Sequence, residues 1–286
     1  MIMGNAASKL QHILETTFDI PFDVEYGIDN GDPWYKIRPA GYINETFEIK
    51  LFFLNQLRLI MEFLPDVYAA PLINDMANSS PAKRAIFLGY AKVLLERRAK
   101  INFRINNIDV SVSGDSDWPQ DWKKIELKIT KSPIVEEDEK FIPDMKIVDW
   151  GCIFVGMVLS LLEITPIDNG MESFAAENEG AGYKAVTGRY ERSLVNRNLC
   201  IAAKGYSCRV CGIDFQSSYG DLGSGFIHVH HIIPVSKMGP NYAVNPLNDL
   251  EPVCPNCHSM LHRKDPPLEI EELKTIITKK TPNQSS

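Results

Sequence analysis

The 286-residue chain is predicted to be α+β and built in two parts, an N-terminal mixed α/β domain of unassigned type over residues 1–165 and a small metal-bound domain over residues 187–286. Three observations carry this expectation. Helical and strand periodicities alternate through the first half. Residues 165–182 are broken by Pro166, Asn169-Gly170 and Gly180-Ala181-Gly182 and kept polar by Glu172, Glu177 and Glu179, which marks a linker over 166–186. Four cysteines and five histidines then gather between residues 208 and 262. A hydrophobic content of 44% supplies a core for each part.

In chain order, residues 45–64 place apolar side chains at helical intervals and are expected to form a helix. Ser79-Ser80-Pro81 starts a second helix, with a hydroxyl cap and a first-turn proline, that ends at Glu96-Arg97-Arg98. The period then changes to two. Ile101, Phe103 and Ile105 alternate with polar residues, Asn106-Asn107 can turn, and Ile108, Val110 and Val112 alternate again, giving a hairpin. Ile125, Leu127 and Ile129 supply a third strand, and a helix over about 144–163 closes the domain. Its apolar run from Trp150 to Leu162 is too short to span a bilayer and reads as buried, so no membrane partner is expected. Downstream, residues 193–204 read as a helix stopped by Gly205, followed by a Gly-rich loop over 219–225, a strand over 226–229 and a final helix over 257–263.

Charge narrows the function classes. The formal net charge of -7 comes from residues 1–170, while residues 171–286 are balanced, so any nucleic-acid contact must rest on local Arg and Lys clusters. No charged, apolar and small leader opens the sequence, which points to a reducing, cytoplasmic compartment in which thiols act as ligands.

Cys208/Cys211 and Cys254/Cys257 are two C-x2-C pairs, the spacing that aims four sulfurs at one structural zinc ion. Cys152 and Cys200 stand apart from them and read as small buried side chains. The imidazoles are left for a second task. His258 and His262 are four residues apart on a helix and can share an ion. His230 and His231 project to opposite sides of an extended segment, so one can face that ion and the other a substrate, as a general base working near neutral pH.

Taken together, Phe226-Ile-His-Val-His-His-Ile-Ile-Pro234 and Asn248-Asp-Leu-Glu-Pro-Val-Cys-Pro-Asn-Cys-His-Ser-Met-Leu-His262 resemble the HNH nuclease motif in its zinc-stapled, McrA-like form. The likeness covers about residues 187–264. It implies a ββα-metal fold and hydrolysis of DNA phosphodiester bonds. By the same resemblance His231 is the general base, His258 is the last motif histidine and a ligand, and His230 and His262 complete the ligands of a catalytic divalent ion (Mn2+, Co2+, Ni2+ or Mg2+). Asp249 falls where the family carries its middle Asn, with Asn248 beside it. A carboxylate there can accept the hydrogen bonds that hold the loop.

Arg189, Arg192 and Arg197 precede or lie within the first helix of this region and are candidates for phosphate contact. The implied enzyme is a prokaryotic restriction or phage-defence endonuclease whose N-terminal domain chooses the target, with DNA as partner. A homodimer, and a cognate methyltransferase or defence-system partner, are its expected companions. The alternative is a non-catalytic zinc module that binds nucleic acid or protein. In the first half, Glu126-Leu-Lys128 with Asp109 or Asp115 resembles a PD-(D/E)xK nuclease signature, although alternating charges on one strand face give the same string. Trp34, Trp118 and Trp122 read as core residues before base-stacking ones.

Overall fold

The structure is a computed structural model, described for residues 4–40, 47–55, 57–67, 69–134, 143–162, 194–233, 242–264 and 266–280. Helix α1 (Gly4–Phe18) buries Ala7, Leu10, Leu14 and Phe18, an i, i+3, i+7, i+11 stripe that needs a partner surface. Strands β1 (Phe22–Asp29) and β2 (Asp32–Pro39) supply part of it. They are joined by Asn30-Gly31, both at positive φ, the two-residue turn whose twist matches an antiparallel pair.

Residues 47–65 are a hairpin and not the expected helix: β3 (Phe47–Leu54) pairs with β4 (Arg58–Pro65). Phe47, Ile49, Leu51 and Phe53 are all buried while Glu48 and Lys50 lie on the other face. The period is two, and a segment rich in Phe and Ile packs well on a pleated surface. Helix α2 (Ala70–Ala77) leads to α3 (Pro81–Glu96), where the Ser80 side chain accepts from the Lys83 N–H and Pro81 fills the first turn, as expected. The Asn106-Asn107 turn joins β5 (Lys100–Ile105) to a two-residue β6 (Ile108–Asp109), shorter than the alternation suggested. Strand β7 (Ile125–Lys131) inserts between β4 and β5, giving a seven-stranded antiparallel sheet of order β1-β2-β3-β4-β7-β5-β6. Helix α4 (Pro143–Leu159) closes the layer, with Trp150, Phe154, Met157 and Val158 buried.

One face of the sheet, carrying Tyr35, Ile37, Leu51, Met61, Leu127 and Ile129, forms a single core with α1, α3 and α4. The opposite face is a mesh of charge pairs, among them Arg38–Glu48, Lys128–Glu62 and Arg104–Glu126. Glu126 and Lys128 are thereby neutralised within the mesh, and among the described residues no metal-ligating group forms around them. Trp118 and Trp122 are buried against Phe87 and Phe103 in the core, whereas Trp34 is half-buried.

The C-terminal part begins with α5 (Leu194–Lys204), stopped by Gly205 at φ 77. It continues through α6 (Phe215–Tyr219) and a 3-10 turn over Gly220–Gly223, where a loop was expected. Then come β8 (His228–His231), α7 (Pro246–Asp249), β9 (Leu250–Val253), α8 (Pro255–Leu261) and α9 (Ile270–Lys280). Strand β8 is antiparallel to β9 and begins two residues later than the sequence suggested, so the histidine pair lies inside the strand.

Helix α5 joins the two parts. Leu199 belongs to the core of the large sheet, while the adjacent Cys200 and Ile201 belong to the smaller core. On one side the buried Tyr90 hydroxyl lies 2.9 Å from the Val195 carbonyl and 2.8 Å from Asn198 Oδ1, and Arg97 donates to the Ala202 carbonyl. On the other, Lys204 donates to the Leu250 carbonyl and pairs with Glu251 at 2.8 Å. No helix among the described residues is long and apolar enough to cross a membrane. The mixed α+β class, with a sheet-rich N-terminal part, is as the sequence predicts.

Candidate metal and active site

Cys208 sits at the start of a tight turn in which its N–H bonds the Ile213 carbonyl and its own carbonyl accepts from Gly212, a glycine at φ 75. Cys254 is the N-cap of α8, with its sulfur accepting from the Cys257 N–H at 3.3 Å and Pro255 occupying the first turn. The turn and the cap bring all four sulfurs within 4.8 Å of one another. None is in a disulfide, and the Cys211–Cys254 sulfur separation of 3.8 Å matches the edge of a tetrahedron with arms of ~2.3 Å, about 3.8 Å.

Electrostatics favour the same reading. Burial pushes the Cys208 thiol up, but hydrogen bonds from the backbone at Cys211, Cys254 and Val210 and from the Cys211 side chain together outweigh it and bring it down to about 7. Cys257 is driven well up by burial and by the neighbouring sulfurs, and Cys211 is raised by burial and by Cys208. Four thiolates this close repel one another, and a dication at their centre removes that repulsion. Cys152 and Cys200, by contrast, are buried, and desolvation pushes each up to about 12, as suits inert core thiols.

The second cluster is built by β8 and α8. Alternation puts His228 and His230 on one face of β8 and Val229 and His231 on the other. Helix α8 presents His258, and His262 follows at its C-cap. Ring centroids are 5.4 Å apart for His230–His258, 5.1 Å for His230–His262 and 5.0 Å for His258–His262, with planes at 74–83°. One nitrogen from each of the three lies within 4.8 Å of the others, so these residues can hold a metal ion. His230 is buried, His258 half-buried and His262 exposed, which leaves the cluster open on one side. Half-buried His231 stands outside the cluster, opposite Leu250.

Asp249 works on the loop before it. Its Oδ2 accepts from the Tyr242 hydroxyl at 2.9 Å and from the Asn245 N–H at 2.8 Å, and its carbonyl accepts from the Ile232 N–H immediately after His231. The hydrogen bond to Asp249 raises the Tyr242 hydroxyl above its ordinary value. Asn248 is exposed, with its backbone N–H on the Asn245 carbonyl. Arg189 and Arg192 lie outside the described residues. Arg197 is half-buried and donates to the Ile227 carbonyl at 2.8 Å, tying α5 to the segment that enters β8; desolvation lowers its pKa.

Tyr242 was missed in the sequence, and His228 was given no partner there, being expected to point away from the metal or to sit one strand step from it. His228 lies with its Nδ1 3.3 Å from His258 Nδ1, and Tyr242 clasps Asp249. The period-two rule already placed His228 on the His230 face, whereas no local pattern marks Tyr242.

Residues 208–264 match the family described as HNH endonuclease. No curated protein and no solved structure matches the chain. The match encloses both clusters, so the chain carries an HNH endonuclease domain with a four-cysteine group that can hold zinc.

Proposed function

We propose that this chain is a metal-dependent DNA endonuclease in which the HNH domain cuts and the N-terminal sheet domain selects the target. The observation that carries the reading is the convergence of His230, His258 and His262 beside a further imidazole, His231, on the opposite strand face. The donor set fits a divalent ion. Neutral nitrogens in an open three-residue cluster suit Mn2+, Co2+, Ni2+ or Zn2+ better than Mg2+, which prefers oxygen ligands. When bound, such an ion supplies stabilisation of the negative charge that grows on the phosphoryl and leaving oxygens.

The protein's own groups do the rest. His231 takes a proton from water as the water oxygen attacks phosphorus, the P–O bond to the leaving nucleoside breaks, and the leaving oxygen takes a proton from solvent. An imidazole suits this because its ordinary pKa of ~6.5 leaves it largely unprotonated at neutral pH. Asp249 fixes the 242–245 loop through its carboxylate and bonds the residue after His231 through its carbonyl, which helps to orient His231. Arg189 and Arg192 are the candidates for phosphate contact, joined by whatever part of the Arg197 guanidinium the Ile227 carbonyl leaves over. The domain division at residues 166–186, a homodimer for double-strand cutting, and a restriction or defence role with a cognate methyltransferase belong to the same proposal.

The test is incubation of supercoiled plasmid with purified protein and added Mn2+. Nicked circles should accumulate with the metal and not without it. Absence of nicking with Mn2+, Co2+, Ni2+ and Mg2+ alike would leave a binding module in place of an enzyme.

A further inference from the structure

His228 touches the ligand cluster without belonging to it. Its Nδ1 lies 3.3 Å from His258 Nδ1, with the two rings at 87° and their centroids 5.4 Å apart. The nitrogens of His230, His258 and His262 form the mutually close set, and His228 stands outside it, against His258. Its ring is also braced from behind. Phe226 meets it edge-on at 6.2 Å, and Phe215 meets Phe226 at 5.0 Å and 87°. His228 thus adjoins the aromatic cluster that continues into α6.

Two Nδ1 atoms at this distance attract only if one of them carries the proton. If His228 donates, the proton of a neutral His258 must sit on Nε2. His258 then has no lone pair left for an ion, since its Nδ1 is taken by the hydrogen bond. If His258 donates from Nδ1, its Nε2 keeps a lone pair and the ring can serve as a ligand. A cation among the three histidines selects the second arrangement, and a partner on the far nitrogen is the usual means of fixing a ligand imidazole.

We propose that His228 is a positioning residue that accepts the His258 Nδ1–H and holds His258 as the tautomer that offers Nε2 to the divalent ion. This rests on the three-histidine metal site proposed above.

The experiment uses the full chain, with the structural zinc retained, as wild type, His228→Ala, His228→Gln and His258→Ala. Co2+ affinity is measured by calorimetry, and the imidazole nitrogens are observed by 15N NMR after loading with Zn2+. His228→Ala should weaken Co2+ binding by ~10- to 100-fold, and His228→Gln, whose amide oxygen can accept, should recover most of that loss. His258 should carry its proton on Nδ1 in wild type and lose that single protonation pattern in His228→Ala. Unchanged affinity and an unchanged His258 pattern in His228→Ala would overturn the proposal. So would a Co2+ absorption spectrum showing that wild type binds through one more nitrogen than His228→Ala, because His228 would then be a ligand itself. If wild type and His258→Ala bind no Co2+ alike, the metal-site reading beneath the proposal fails, a result distinct from either outcome at His228.

Discussion

Around the seven-stranded sheet, Tyr35, Leu51, Met61 and Ile129 are packed out of solvent by three helices, whereas among the described residues the part that begins at Leu194 has a much smaller buried core of eight aliphatic residues and four cysteines. The first region has enough apolar surface to fold on burial alone. The second has a much smaller core, and a bound metal there would add to its stability. One region is therefore held by the hydrophobic effect, the other has a small core beside side chains that can hold metal, and the two meet along α5. The difference has a functional consequence. Ligands placed by a turn, a helix cap and a two-stranded ribbon can sit close to solvent, as the exposed His262 does, where a large substrate can reach them.

The sharpest way to break this comparison is to remove a sulfur. Structural zinc contributes apparent binding free energy of about 10–16 kcal/mol, as much as a small domain's whole stability. Cys257→Ser or Cys208→Ser should therefore leave the sheet domain protease-resistant while the region after Leu194 becomes cleavable, with bound zinc lost. Equal zinc content and equal resistance in wild type and mutant would contradict the account.

The next effect lies in metal choice. With three imidazoles and no carboxylate, Mn2+, Co2+ or Ni2+ should support nicking at least about tenfold faster than Mg2+ at equal concentration, and His230→Asp should narrow that gap by restoring an oxygen ligand. Initial rates with each ion decide it.

The joint between the two regions can be probed at Gly156, where an added Cβ would meet the Tyr90 hydroxyl oxygen and lie 2.9 Å from Asn198 Oδ1. Gly156→Ala should cost ~1–3 kcal/mol by pushing α5 away from α4. It should lower the denaturation midpoint of the sheet domain without altering zinc content. Smaller still in its effect on stability is the loop. Asp249→Ala strips two accepted hydrogen bonds in an exposed turn and should remove most activity. Asp249→Asn should keep much of it, and Tyr242→Phe should have the mildest effect of the three. A harmless Asp249→Ala beside a damaging Asn248→Ala would move the role to Asn248.

What could be read in the sequence divides along the same line. Paired C-x2-C spacing and a His-x3-His step are local constraints, so the four sulfurs and the His258/His262 pair were legible before any fold was known. The capped start of α3 and the Asn106-Asn107 turn were legible for the same reason. The β3–β4 hairpin was misread because Phe52, Leu54, Ile60 and Leu64 put apolar residues on the outer face as well, which blurs the period of two. The Asn30-Gly31 turn was a signal left unused. Nothing local could have placed β7 between β4 and β5 or set Tyr90 against α5, because both depend on contacts between residues far apart in the chain.

The central claim is that one histidine of the adjacent pair does chemistry while its neighbour holds metal, and His231→Ala tests it most directly. The measurement is the plasmid-nicking rate of this variant against wild type, at Mn2+ concentrations where calorimetry shows equal occupancy of the site. The account predicts unchanged metal affinity with a rate reduced by about 10^2- to 10^4-fold. Loss of metal affinity in His231→Ala, or a wild-type rate at full occupancy, would contradict it.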